Sequence, residues 1–245
     1  MAPDYYIGTS GWHYAHWRGI FYPAVLSPDK WLKYFSQYFN TVEINYSFYR
    51  LPLESIFSTW CESVPDGFCF AVKASRFITH VKRLNASQET INFINRANYL
   101  HNHLGPLLYQ LPPGFHRDDV RLETFLDLLS TLNNNLKHVF EFRHSSWMNK
   151  AIFDLLRKYN AGFCIFDMPG FVSPVEATTD FAYVRLHGKG ELYSGSYPDS
   201  ELSNWAARLK ALGHGLKSVY IYFNNDAGAH AIRNALTLRS YMQDR

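Results

Sequence analysis

The sequence predicts a single (β/α)8 barrel over residues 1–245, and three observations favour that fold. Strand-like runs alternate with helix-like runs, as expected for parallel strands joined by right-handed crossovers. The chain length of 245 residues is close to the roughly 250 residues of a typical barrel of this type. The rival fold is an open doubly wound sheet, which usually carries a phosphate-binding loop near its first strand, and neither GxGxxG nor GxxxxGKS/T occurs here.

The first four predicted strands are each followed by apolar residues at helical spacing. These strands cover residues 5–8, 41–45, 68–73 and 106–112. The helical patterns that follow them cover, in the same order, residues 31–39, 53–63, 91–104 and 122–129. We interpret Gly105 as the stop signal of the third helix, because glycine is common just past a helix end.

The last four predicted strands include one unusual connection. They cover residues 138–143, 162–167, 181–188 and 218–225, and helical patterns follow at 152–159, 202–212 and 229–242. The segment 168–179 contains Pro169, Gly170 and Pro174, which are poor helix residues. We therefore predict an irregular crossover between strands six and seven.

The composition is that of an ordinary globular protein of the cytoplasm. Hydrophobic residues make up 47% and charged residues 18% of the chain. No apolar run is long enough to span a membrane, and the N-terminal MAPDYYIG lacks the basic and apolar regions of a secretory signal. The three cysteines have no metal-type spacing and are interpreted as reduced packing residues. The net charge of +3 is too small to indicate nucleic-acid binding by itself.

Polar residues occupy one face of most predicted strands, because successive side chains of a strand point to opposite faces. In strand five, Phe140 and Phe142 oppose Glu141 and Arg143. The full polar set comes from seven strands. Strand two contributes Glu43 and Asn45, strand three Lys73, strand four Gln110, and strand five Glu141 and Arg143. Strand six ends in Asp167, strand seven contributes Arg185 and His187, and strand eight contributes Asn224. We expect this set to face the barrel interior, near the strand ends where barrel active sites form.

Two interpretations of these inward charges stay open. Buried charges cost several kcal/mol unless they are paired and hydrogen-bonded. One interpretation is an ion-pair network that only specifies the core. The other is a polar functional pocket.

Several motifs resemble the family called domain of unknown function 72, or the YecE-like family. They are GTSGWHYAHWRGIFYP, FNTVEINYSFYRLP, FAVKASRFITHVKRL, YQLPPGF, FEFRHSSW, YVRLHG and YFNND, in this order along nearly the whole chain. The resemblance implies a TIM-type barrel and no established activity. Some members have been compared with apurinic endonucleases of the same fold, which is an analogy of fold alone.

Anion binding is the chemistry that the cations favour, since arginine pairs bidentately with phosphate or carboxylate. The candidate binding residues are Trp12, Asn45, Lys73, Arg76, Gln110, Arg143, His144, Asp167, Arg185 and Asn224. Trp12 is included because aromatic rings stack on bases or sugars. The other aromatic residues of the first loop are equally consistent with a hydrophobic plug.

Catalysis would use His187, whose imidazole ordinarily titrates near neutral pH, with Glu141 and Glu43 as further candidates. A structural histidine is as consistent with the sequence. Arg143 and Arg185 would compete with a metal for the carboxylates, and no HExxH spacing occurs, so we predict neither a metal nor another cofactor. A glycosidase pair and a GxSxG nucleophile are disfavoured as well.

The sequence thus predicts a cytoplasmic barrel that binds an anionic small molecule. It leaves open whether the protein is an enzyme, and the enzyme class that it favours is a hydrolase or lyase acting on that molecule. One alternative is a nucleic-acid-binding protein or endonuclease-like enzyme. Another is a non-catalytic interaction scaffold. No membrane partner is expected.

Overall fold

Nine strands and eight α-helices alternate in the residues that the computed structural model describes, 2–132, 135–190 and 193–243. The strands are β1 (Asp4–Thr9), β2 (Thr41–Ile44), β3 (Cys69–Lys73), β4 (Leu104–Gln110), β5 (His138–Glu141), β6 (Gly162–Met168), β7 (Phe171–Val172), β8 (Phe181–Leu186) and β9 (Ser218–Phe223). The helices are α1 (Trp31–Phe35), α2 (Tyr46–Tyr49), α3 (Glu54–Glu62), α4 (Ser87–Ala97), α5 (Asp119–Leu132), α6 (Lys150–Lys158), α7 (Asp199–Gly213) and α8 (His230–Gln243).

The eight longer strands form a nearly closed barrel, which confirms the predicted fold. They pair in parallel in the order β1-β9-β8-β6-β5-β4-β3-β2. The two end strands of this order meet through an isolated parallel bridge between Ser10 and Glu43. Gly8 lies at this seam, where any Cβ would collide with the carbonyl oxygen of Thr41. The absence of a side chain at residue 8 therefore lets β1 approach β2.

Strand alternation places an apolar layer under the helices, as predicted, and a second apolar cluster inside the barrel, which was not predicted. Val42, Ile44 and Phe140 belong to the large core between the strands and the helices. Ala71 and Tyr183 belong to a second, smaller cluster inside the barrel. Because this inner cluster fills the lower part of the barrel, the polar residues of the same strand faces are confined to the carboxyl ends of the strands.

The connection between β6 and β8 contains no helix, in agreement with the predicted irregular crossover. The chain turns at Gly170, which has a φ of +79°, and β7 pairs antiparallel with the end of β6. Thr178 then donates its hydroxyl to the carbonyl of Ala161 at 2.7 Å. Side-chain hydrogen bonds thus replace the packing that a crossover helix would supply.

One local expectation differs from the structure, and two short helical segments were not predicted. Gly105 lies inside β4 and does not end a helix; a Cβ there would collide with Sγ of Cys69 on β3. The loops after β2 and β3 contain α2 and a π-helical turn (Phe77–Val81), and both are too short to show a helical repeat in the sequence. Among the described residues, no helix is long and apolar enough to cross a membrane.

Candidate functional site

Arg185 lies at the centre of a charged cluster at the carboxyl ends of the strands. Its Nη2 donates to Oε1 of Glu43 at 2.8 Å, and its Nη1 donates to Oε2 of Glu141 at 2.7 Å. None of the three side chains is exposed to solvent. They come from β8, β2 and β5, so only barrel closure brings them together. The guanidinium pairs with two carboxylates that would each be costly to bury alone, and Arg143 supplies the second positive charge.

The two carboxylates have further partners. Glu43 accepts hydrogen bonds from the hydroxyls of Ser10 and Tyr183, the latter at 2.6 Å. Glu141 also accepts from Nε of Arg143. Burial by itself would raise the pKa of Glu141, but the guanidiniums of Arg143 and Arg185 hold that pKa well below its ordinary value. Glu141 is therefore ionised at neutral pH, and a role as a proton donor is not open to it.

His187 is held between Arg143 and Asn224. Nη2 of Arg143 lies 3.0 Å from its Nε2, and the Asn224 side-chain amide lies 3.1 Å from its Nδ1. A guanidinium can only donate, so Nε2 accepts and the imidazole proton resides on Nδ1. The structure directs Nδ2 of Asn224 at Nδ1, so a proton on Nδ1 requires the Asn224 amide to be turned by 180°, which brings its Oδ1 there as the acceptor.

The surroundings of His187 contradict the expectation that it titrates near neutral pH. Burial, followed by the charges of Arg185 and Arg143, lowers its pKa well below the ordinary 6.5. The ring is therefore neutral at physiological pH and is no ready proton donor. Its assignment as a catalytic residue remains a prediction.

A cavity of about 560 Å³ lies over this cluster. Its lining residues are Tyr14, Asn45, Phe48, Tyr49, Lys73, Arg76, His80, Gln110, Tyr193, Asn224 and Asp226. Gln110, Asn45 and Asn224 connect it to the charges below. Gln110 accepts from Arg185 at 3.4 Å, and Asn45 donates to Oγ of Ser10 at 2.5 Å. The predicted polar residues thus form two layers, an ion-paired base and a cavity wall.

Lys73 is the lining residue with the most unusual environment. It is 9% exposed, and its Nζ lies 4.2 Å from the ring centroid of Phe48. Among the described residues, no side chain or carbonyl forms a hydrogen bond or ion pair with this Nζ. Burial first, and then the charge of Arg185, lowers the pKa of Lys73 to about 7. The amine is therefore shared between its charged and neutral forms at neutral pH.

The rim of the cavity carries further titratable groups. Arg76 is exposed at the start of the π-helical turn. His80, on the same turn, has a pKa lowered to about 4 by burial and by the charges of Lys73 and Arg76. Burial raises the pKa of Asp226 above its ordinary value, although His16 lies 3.6 Å from its carboxylate. The rim thus offers one permanent cation and one carboxyl group.

Three predicted binding residues lie elsewhere. Trp12 is 7% exposed and packs edge-on against Trp60 with 5.1 Å between ring centroids, so it belongs to the hydrophobic core. His144 stacks on His116 at 3.9 Å. Asp167 accepts from Nζ of Lys189 at 2.9 Å. None of the three lines the cavity over Arg185, because each is held by partners outside that cavity.

Six lining residues were not among the predicted site residues, namely Tyr14, Phe48, Tyr49, His80, Tyr193 and Asp226. All of them lie a few residues after the end of a barrel strand, on loops without a periodic pattern. Their position after strand ends was the one signal that could have found them. In the described part of the chain, no group of three or more His, Cys, Asp or Glu side chains is arranged to hold a metal ion.

Comparison with known proteins gives the family. The model of the family described as protein of unknown function DUF72 matches residues 6–245. The UPF0759 protein YunF of Bacillus subtilis (strain 168) is 27% identical over 263 positions, which cover 94% of this chain and 91% of YunF.

Solved structures agree with this assignment. A DUF72 family protein from Thermotoga maritima MSB8 has a TM-score of 0.88 at 28% identity, covering 98% of this chain and 100% of that chain. A DUF72 family protein from Enterococcus faecalis V583 has a TM-score of 0.84 at 17% identity, covering 98% and 96%, and shows the shared fold alone. The chain described here therefore belongs to the DUF72 family, whose function is unknown.

Proposed function

We propose that the cavity at the barrel mouth binds a small anionic metabolite. The observation that carries the proposal is Lys73, whose amine faces the cavity without a carboxylate partner among the described residues. Arg143 and Arg185 are matched by Glu141 and Glu43 in the base of the site. The charge available to a ligand therefore comes from Lys73 and from Arg76.

The size of the cavity supports a metabolite as the ligand. Small-molecule sites in proteins usually span about 300–1,000 Å³. The cavity of about 560 Å³ falls within that range. An anionic group against Lys73 would also offset the burial that lowers its pKa, so binding and protonation would favour each other.

Isothermal titration calorimetry with inorganic phosphate and glycerol 3-phosphate tests the proposal, with glycerol as the neutral control. The Lys73→Met variant keeps the length of the stem and removes the charge. We expect it to bind glycerol 3-phosphate at least tenfold more weakly than the unmodified protein. Lys82→Met is the matched control, because Lys82 is exposed near the mouth and does not line the cavity. Equal affinities of the Lys73→Met variant and the unmodified protein would contradict an anion site at Lys73.

A second candidate function is binding of single-stranded nucleic acid. Tyr49 and Tyr46 on α2 are 82% and 52% exposed, and Phe77 on the next loop is 41% exposed. Exposed rings beside cations such as Arg76 are the usual platform on which bases stack, worth about 1–3 kcal/mol per base. Fluorescence anisotropy with a labelled oligonucleotide at 50 and 200 mM salt tests this candidate. The nucleic-acid candidate predicts an affinity for the oligonucleotide that falls steeply with salt and that is weaker in the Tyr49→Ala variant. Binding that does not depend on salt, or no binding at all, would exclude this candidate.

A further inference from the structure

We propose that Lys73 forms an imine with the carbonyl carbon of a small anionic aldehyde or ketone bound in the mouth cavity. This inference rests on the proposed anion site and names the class of its ligand. It assigns covalent chemistry to a residue that otherwise would only contribute charge.

The position of Lys73 suits a nucleophile. Its side chain leaves the end of β3, a rigid element, and its carbonyl accepts a hydrogen bond from Oγ of Ser47 at 2.6 Å. The stem is buried, and the Phe48 ring lies 4.2 Å from Nζ, so one side of the amine is covered. The open side faces the cavity. A bound carbonyl group there would meet the nitrogen directly.

The ion pairs below explain why, among the described residues, no carboxylate pairs with the amine. Glu43 and Glu141 are the buried carboxylates whose charge acts on Lys73, and Arg185 bridges both of them. A lysine that is paired with a carboxylate is held in its charged form and cannot attack. With both carboxylates occupied, burial dominates and the pKa of Lys73 falls to about 7. A large share of the molecules then carries a neutral, nucleophilic amine at neutral pH.

The reaction needs no co-reactant. The nitrogen lone pair forms a C–N bond to the carbonyl carbon while the C=O π pair moves to oxygen, and one proton passes from nitrogen to that oxygen. The resulting carbinolamine takes up a second proton on its hydroxyl group and loses water. The nitrogen lone pair then forms the C=N bond, which leaves a protonated imine. Asp226 lines the same cavity, and its raised pKa suits a carboxyl group that exchanges these protons.

The class of ligand follows from two requirements of the cavity, a carbonyl group at Lys73 and an anionic group at Arg76. The carbonyl group must reach Nζ of Lys73, while Arg76 at the rim offers a bidentate site for phosphate or carboxylate. A short phosphorylated aldehyde or ketone satisfies both conditions. The cavity of about 560 Å³ has room for such a molecule.

Pyridoxal 5′-phosphate is a suitable probe, because it carries an aldehyde and a phosphate and its imine absorbs visible light. The protein is mixed with a substoichiometric amount of the probe, reduced with borohydride and mapped by mass spectrometry. We expect labelling of Lys73 at least tenfold above that of any other lysine, increasing from pH 6 to pH 8. Pyridoxal, which lacks the phosphate, is expected to label Lys73 at least tenfold less. The Lys82→Met variant should retain the full label on Lys73, and Lys73→Met should lose the imine absorbance.

Label spread evenly over the surface lysines of the unmodified protein would overturn the imine, and this readout does not depend on any variant folding. The outcome also separates the two proposals. If glycerol 3-phosphate binds through Lys73 but no imine forms, only the imine inference fails. If Lys73 is labelled equally by pyridoxal and its phosphate, and inorganic phosphate does not compete, the anion site fails while the imine chemistry stands.

Discussion

Nη1 of Arg185 and Oε2 of Glu141 lie 2.7 Å apart inside the barrel, and neither side chain is exposed to solvent. The pair joins β8 to β5, and the other amino group of the same guanidinium reaches Glu43 on β2. One arginine therefore compensates two buried carboxylates from distant strands. We expect the pairing of Arg185 with both glutamates to govern the stability of the barrel mouth. Because the two carboxylates are occupied, the pairing also governs the charge state of Lys73 in the cavity above.

Replacement of Arg185 by methionine is expected to lower the free energy of unfolding by about 3–5 kcal/mol, because it leaves the buried carboxylate of Glu43 without a cation and that of Glu141 with Arg143 alone. Urea-induced unfolding measures the change. Arg121→Met is the matched control, since Arg121 is exposed and pairs with Asp118 at the surface; its cost should stay within about 1 kcal/mol. The loss of unfolding free energy caused by Arg185→Met should be smaller in a protein that already carries Glu141→Gln. Equal costs for the two arginine variants would show that the buried pairs contribute nothing.

His187 is expected to stay neutral in the folded protein from pH 8 down to at least pH 6, with its proton on Nδ1, because burial and two guanidiniums disfavour its charged form. Nitrogen NMR of the imidazole, assigned with His187→Gln, measures both properties. Arg143→Met removes one nearby positive charge and should raise the pKa of His187. A ring that titrates near 6.5 in the unmodified protein would contradict this account.

The same shift makes folding stability depend on pH. The pKa of His187 is lower in the folded chain than in the unfolded chain, so its contribution is complete above the unfolded value near 6.5 and is lost as pH falls below it. Between pH 7.5 and pH 5.5, the unmodified protein should therefore lose more stability than His187→Gln does. Parallel losses in both proteins would exclude this linkage.

Lys73→Met is expected to gain stability relative to the unmodified protein as pH falls from 10.5 to about 7. The pKa of Lys73 drops on folding, so the charged amine is disfavoured in the folded state and the penalty grows over this interval, at about 1.4 kcal/mol for each pKa unit. Urea-induced unfolding at pH 7 and pH 9.5 measures the difference between the two proteins. Lys82→Met serves as the control. A difference that is the same at both pH values would show that Lys73 keeps its ordinary pKa of 10.5.

Gly8→Ala is expected to lower the free energy of unfolding by about 1–3 kcal/mol, because the added Cβ meets the backbone oxygen of Thr41 at the seam between β1 and β2. Backbone at a parallel seam cannot move aside as a flexible side chain could. Gly114→Ala is the matched control, since its Cβ would meet no atom within 4 Å. Thermal unfolding of both variants measures the effect, and an unchanged midpoint in Gly8→Ala would mean that the seam is loosely packed.

Local patterns were sufficient for the strands and for the direction of their side chains. Alternation along β5 assigned Phe140 to the helix-facing layer and Glu141 to the interior, and both assignments agree with the structure. Alternation works because it depends only on the extended backbone of each strand. Alternation does not predict which residues of other elements a side chain contacts. Trp12 was assigned to the binding site, but its ring packs against Trp60 in the core, away from the cavity.

The sequence by itself therefore determined the barrel, the irregular crossover and most of the inward polar residues, since each follows from spacing within a short segment. Asp167 is the exception, because it shares the strand face of Phe163 and Ile165 in the outer core and accepts a hydrogen bond from Nε1 of Trp205 on α7. The tertiary structure alone decided which charges are paired. Barrel closure pairs Arg185 with both Glu43 and Glu141, and this leaves Lys73 without a carboxylate partner in the part of the chain that the structure describes. Electrostatic free energy depends on distances and burial across the whole barrel. For that reason the lowered pKa values of His187 and Lys73 can be inferred only once β2, β3, β5 and β8 are placed around a common axis.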